Sequence, residues 1–131
     1  MSRITSKTLN QLIFGLLACI GLSSHAASIN EISQAALLDV DKTQHIIVDV
    51  RTAREYSEGH VPGAINIPLS KIQKDATRLN LDKNKTVVLY CRSGYRAAKA
   101  ADILLDNGFE HLLHLEGDML GWSKAGLTTE N

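Results

Sequence analysis

Along the chain, apolar and polar positions alternate between two rhythms, and the alternation predicts strands interleaved with helices. His45 to Val50 (His-Ile-Ile-Val-Asp-Val) and Thr86 to Tyr90 (Thr-Val-Val-Leu-Tyr) are near-continuous β-branched runs. Such runs mark strands covered on both faces. From Arg96 to Asn107 the apolar positions are Ala97, Ala100, Ala101, Leu104 and Leu105, the i, i+3, i+4, i+7, i+8 spacing of an amphipathic helix that Gly108 closes. Ile29 to Val40 reads as a short lead strand or turn followed by a helix. Thr52 to Glu58 reads as a short helix, with Thr52 and Glu55 spaced as a capping box. Gly59 and Pro62-Gly63 mark a loop, Ala64 to Ile67 a short strand ended by Pro68, and Ser70 the cap of a helix to about Leu79. His111 to Leu115 is a further short strand, and Gly117 to Trp122 a loop with a last helical turn. The sum is a small α/β domain with a mainly parallel central sheet and helices on both faces.

The first 26 residues follow a different pattern. Arg3 and Lys7 precede an apolar run from Leu12 to Leu22, which is short for a membrane span, and Ser24-His25-Ala26 offers small residues where a signal peptidase reads. The expectation is a signal peptide over 1–26 and one domain over 27–131, exported to the periplasm, with no stable membrane insertion after cleavage. An uncleaved anchor is one alternative. A lipoprotein signal at Leu16-Leu17-Ala18-Cys19 is another, but the apolar run continues past Cys19.

Composition adds little until that segment is removed. The 131 residues hold 14 basic and 14 acidic groups, with no basic stripe to suggest nucleic acid. Losing Arg3 and Lys7 takes the basic residues to 12 against 14 acidic, and losing Cys19 leaves Cys91 as the lone cysteine. A lone thiol in an oxidising compartment is either a buried apolar filler or a reactive group.

Its neighbours favour reactivity. Cys91-Arg92-Ser93-Gly94-Tyr95-Arg96 runs from the carboxyl end of a strand into a helix, the place where open α/β sheets build sites. A helix start presents unpaired N–H groups and partial positive charge, which hold anions and favour a thiolate. Arg92 and Arg96 add charge, and Gly94 permits a tight turn. Such a cradle suits a thiolate nucleophile that attacks an anionic substrate.

The chain resembles the rhodanese-like domain family. The resemblance rests on the Cys-Arg-x-Gly-x-Arg loop at Cys91, on Asp49-Val50-Arg51 at a strand end, and on Glu55-Tyr56. It also rests on Gly59 to Pro68, which matches without a gap, and on Leu115-Glu116-Gly117 with Trp122. It spans about Ile29 to Ala125 and implies the small α/β fold and sulfur transfer. Four residues separate Cys91 from Arg96; the resemblance assigns that length to sulfur transfer, and five to related phosphatases. It implies a persulfide on Cys91, donor binding by Arg92, Ser93, Gly94, Tyr95 and Arg96, with Arg96 alternatively bracing the loop, and support from Asp49, Arg51 and His60. Arg92 points to thiosulfate, and an exported single domain resembles small periplasmic sulfurtransferases. No cofactor or metal is implied; the partners are a small anionic sulfur donor and a thiophilic acceptor such as cyanide or a thiol. A persulfide carrier served by a partner protein and a redox sensor are the competing functions. Asp118 departs from the resemblance, standing where a second Gly is usual, and at a positive φ it fits less easily than Gly. His111 and His114 lie three apart on a predicted strand, on opposite faces, and make no metal pair.

Overall fold

The computed structural model describes residues 29–131; the predicted signal segment, its cleavage site and Cys19 lie outside the described residues. Five parallel strands form one sheet in the order β1-β5-β4-β2-β3. They are β1 (Asn30–Ile32), β2 (His45–Asp49), β3 (Ile65–Asn66), β4 (Thr86–Tyr90) and β5 (Leu112–Leu115). Parallel neighbours need crossover connections. These carry α1 (Gln34–Leu38), α2 (Ala53–Ser57), α3 (Leu69–Asp75) with a 3₁₀ turn at Ala76–Arg78, and α4 (Tyr95–Asp106). α5 (Asp118–Lys124) follows the last strand.

β4 is the central strand, and its side chains divide by the period of two. Val87, Leu89 and Cys91 pack with Ala97, Ala100, Ala101 and Leu104 of α4 and with Ile72 of α3. Val88 and Tyr90 face the other layer, with Leu37 of α1 and Met119 and Trp122 of α5. The sheet is thus covered on both faces, as its apolar runs predict. In register, Asp49 of β2 lies beside Tyr90 of β4, so the residues that follow each strand, Arg51 and Cys91, emerge at the same edge.

Local chemistry explains most boundaries. The Thr52 hydroxyl accepts the Glu55 N–H, and the Glu55 carboxylate accepts the Thr52 N–H, so the predicted capping box starts α2. Ser70 is not a cap. Pro68 occupies the N-cap position of α3, its fixed φ (−55°) leads the chain in, and its carbonyl accepts the N–H groups of Lys71 and Ile72. That helix gives way to the 3₁₀ turn after Asp75, short of Leu79. The last helix runs two residues beyond Trp122, to Lys124, and β5 begins one residue after His111. Among the described residues, no helix is long and apolar enough to cross a membrane.

Candidate active site: the loop after β4

Cys91 is 1% exposed and begins the turn between β4 and α4. Gly94 adopts φ +108° at the N-cap of α4, a conformation open to glycine and costly for other residues. That turn folds the loop back on the sulfur, and the Gly94 N–H donates to Cys91 Sγ at 3.0 Å. The N–H groups of Arg92 and Ser93 donate to nothing among the described residues. Two carbonyls of the loop are occupied: Cys91 O accepts from the Met119 N–H (2.9 Å) and Arg92 O from the Leu120 N–H (3.1 Å), both in the first turn of α5.

The six loop residues play unequal parts. Arg92 and Ser93 are exposed, and Arg92 has no carboxylate within ion-pairing distance among the described residues. Tyr95 is 71% exposed and takes Lys99 over its ring at 4.6 Å. Arg96 turns the other way. It grips Glu55 of α2 through two bonds, 2.7 and 3.0 Å, which raises the guanidinium's proton affinity and holds the Glu55 carboxyl down to about 2. In the structure Arg96 is a brace between α4 and α2, and Glu55 serves both the cap of its own helix and this clasp.

Asp49, Arg51 and Tyr90 form a knot at the strand ends. The Arg51 guanidinium donates to both Asp49 oxygens (2.8–3.1 Å) and to the Gly59 carbonyl (2.7 Å), while the Tyr90 hydroxyl donates to Asp49 Oδ2 (2.8 Å). The Val61 N–H donates in turn to the Tyr90 oxygen (3.1 Å). Burial, reinforced by the Asp49 carboxylate, pushes the Tyr90 phenol well above its usual range, so it stays a neutral donor. Asp49 is fully buried and Arg51 6% exposed; a buried charge pair persists only when every partner is in place. The knot fixes Tyr90, the residue before Cys91. His60 is buried, stacks on Tyr56 at 3.6 Å, and bonds through Nδ1 to the Tyr56 carbonyl. It orders the 59–64 loop, to which residue 130 is also bonded in both directions.

A cleft of about 340 Å³ opens beside the loop, with Arg92 and Leu120 on one wall and Arg51, Glu55, Glu58 and Gly59 on the other. A second hollow of about 230 Å³ lies on the opposite flank, between Glu31, His114, Gly94 and the alanines of α4. Cys91 lines neither hollow, and its thiol is almost fully covered.

Asp118, singled out in the sequence as a departure, and His114 of β5 complete the surroundings of Cys91. Asp118 has φ +54°, the one described residue other than Gly in that region. Its buried carboxylate accepts the Cys91 N–H (2.9 Å) and binds His114 Nε2 (2.9 and 3.0 Å), whose Nδ1 meets Glu31 Oε1 at 3.2 Å. His114 therefore belongs to a carboxylate pair. Among the described residues no three His, Cys, Asp or Glu side chains gather as metal ligands.

Comparison with known proteins matches this arrangement to one family. The rhodanese-like domain model matches residues 33–125. A protein of Allochromatium vinosum named as a sulfurtransferase is 33% identical over 101 residues, covering 76% of this chain and 92% of that protein. A putative sulfur carrier protein of Bacillus subtilis is 36% identical over 104 residues, covering 77% of this chain. The chain spans only 55% of that second relative, and 46% of a Synechocystis protein to which it is 40% identical over 84 residues. The crystal structure of a rhodanese-related protein from Thermoplasma volcanium superposes with a TM-score of 0.67 at 25% identity, covering 78% of this chain and 98% of that one. With its parallel sheet, its cysteine loop and a model match over most of its length, the chain belongs to the rhodanese-like domain family.

Proposed function

We propose that the protein is a sulfurtransferase that takes sulfane sulfur from thiosulfate onto Cys91 and passes it to a thiophilic acceptor. The Cys91 thiolate attacks the outer sulfur of thiosulfate. The S–S bond of the donor breaks, and sulfite leaves with the electron pair. The product is a Cys91 perthiolate, whose terminal sulfur a nucleophile such as cyanide removes as thiocyanate, restoring the thiolate. Charge balances in both steps, and no cofactor is required.

The observation that carries this reading is the Gly94 N–H donating to Sγ at 3.0 Å inside a four-residue loop whose Arg92 has no carboxylate partner among the described residues. The N–H supports negative charge on sulfur, and Arg92, which lines the cleft beside the loop, offers the cation for an anionic donor. A thiol exposed by 1% favours a small, slender donor over a protein donor. Sulfur delivered there extends about 2 Å further out, the length of an S–S bond, where an acceptor meets it.

The test is mass spectrometry of the purified protein after thiosulfate treatment. One added sulfur is expected on Cys91, with none on Cys91→Ser. A Cys91→Ser protein that still gains the sulfur, or a wild-type protein that gains none, refutes the reading.

A further inference from the structure

The structure assigns to Asp118 and His114 a role in the reactivity of Cys91: we infer that they form a positioning pair that anchors the entry of the loop and ties the charge available to the sulfur to the protonation of His114. The inference deepens the proposed function by naming a control on the same thiol, and it rests on that reading only in taking Cys91 as the nucleophile.

Three observations meet at this point. First, Asp118 holds the loop by its backbone: Oδ1 accepts the Cys91 N–H at 2.9 Å. Second, the carboxylate is almost in contact with the residue that serves the sulfur. A Cβ placed on Gly94 would stand 3.1 Å from Asp118 Oδ2, while the Gly94 N–H donates to Sγ at 3.0 Å. Third, the site is strained and buried, since Asp118 sits at φ +54° and is 2% exposed. A residue other than Gly adopts that backbone at a cost, and a carboxylate this buried needs compensation. The Cys91 N–H and His114 supply it.

The charges around the pair set the sign. From β1, Glu31 meets His114 Nδ1; from α5, Asp118 meets Nε2; from the loop, Cys91 lies beyond Gly94. α4 offers only Gly94 at its cap and Ala97, Ala98 and Ala101 along this flank. Bonding to Asp118, with help from Glu31 and against the opposing effect of burial, raises the proton affinity of the imidazole above that of a free histidine. With His114 protonated, the charge of Asp118 is cancelled, and a thiolate or perthiolate on Cys91 has no uncompensated neighbour. Once His114 loses its proton, a buried carboxylate under the loop opposes negative charge on sulfur.

The coupling is read by alkylation, which needs no sulfur donor. Iodoacetamide rates at Cys91 are measured from about pH 5 to about pH 10 in wild type, His114→Gln and Asp118→Asn, a range that spans both groups' ordinary titrations. Wild type is expected to follow a curve broader than one proton, as coupled sites do. His114→Gln keeps the carboxylate and loses the cation, so it should alkylate roughly threefold to tenfold more slowly near neutral pH, equivalent to a displacement of up to about one pH unit. Asp118→Asn keeps an acceptor for the Cys91 N–H without charge; it should match wild type near neutrality, exceed it on the alkaline limb and follow one proton. Three superimposable profiles overturn the inference. Should Asp118→Asn not fold, NMR titration of His114 in wild type and in Cys91→Ser reads the same coupling from the other end. A higher midpoint in wild type supports the inference, and equal midpoints overturn it. A coupled profile in a protein that forms no persulfide from thiosulfate would count against the proposed function alone.

Discussion

Removing the Arg92 guanidinium should weaken the donor without disabling the thiol. Three arginines surround the loop, but Arg51 is spent on Asp49 and the Gly59 carbonyl, and Arg96 on Glu55. Only Arg92 faces the cleft without a carboxylate partner among the described residues. A charge-assisted hydrogen bond contributes about 1.5–3 kcal/mol. Arg92 is exposed, so screening places it at the lower end, about 1.5 kcal/mol, which is about tenfold in affinity. The Cys91 N–H bond to Asp118 and the Gly94 N–H bond to Sγ do not involve the Arg92 side chain, so the attacking group stays in place. Arg92→Ala should therefore raise KM for thiosulfate about tenfold, with kcat nearly unchanged, the pattern of lost uniform binding. Raising ionic strength should raise the wild-type KM and leave that of Arg92→Ala flat, because a lone exposed cation is screened and an absent one is not. The assay is steady-state thiocyanate formation from thiosulfate and cyanide over a salt series, for both proteins. An unchanged KM with a collapsed kcat would place Arg92 in the transition state and refute this division of labour. An equal salt dependence in both proteins would assign donor recognition to the backbone.

Two further outcomes follow from the same geometry. Gly94→Ala meets both a φ of +108° and the Asp118 carboxylate at 3.1 Å; it should lose at least about 1–2 kcal/mol in urea unfolding and alkylate Cys91 more slowly, whereas wild-type stability and reactivity would refute the reading of the turn. Glu55 has its carboxyl held down to about 2 by Arg96 first and by Thr52 in addition. A depressed carboxyl contributes stability that is present above its unfolded value near 4.5 and lost as pH falls from there toward 2. Glu55→Gln should flatten acid unfolding in that window, by about 1 kcal/mol for a partly buried pair; an acid curve identical to wild type would show that the clasp adds nothing.

What the sequence disclosed and what it withheld divide along chain distance. The strand runs at 45–50 and 86–90, the α4 stripe and the Thr52–Glu55 capping box depend on neighbours a few residues apart, and each formed as predicted. Placing Cys91 at a strand end followed from those local patterns. The fate of Arg96 did not, because its partner Glu55 is 41 residues away and nothing near Arg96 betrays the bond. Ser70 misled because a hydroxyl resembles a cap, while Pro68 two residues earlier had already set the backbone. Asp118 was visible as an unusual residue for its place. That its carboxylate reaches back to the Cys91 N–H, and that His114 of β5 and Glu31 of β1 stand behind it, required the sheet to be assembled first.

The two bonds from α5 to the loop carbonyls also decide which way the loop is polarised. A trans peptide holds its C=O and the next N–H antiparallel, and no peptide bond in the described residues is cis. When Met119 and Leu120 draw the carbonyls of Cys91 and Arg92 toward α5, the N–H groups of Arg92 and Ser93 must swing to the opposite side. Through two main-chain bonds α5 thus orients two dipoles of the loop for an arriving anion. The side chains of Met119 and Leu120 take no part in those two bonds, while a proline at either position would delete a donor and release one dipole. The direction of the cradle's charge is set by backbone groups of α5, while the side chains of that helix serve the core and the Cys91 N–H.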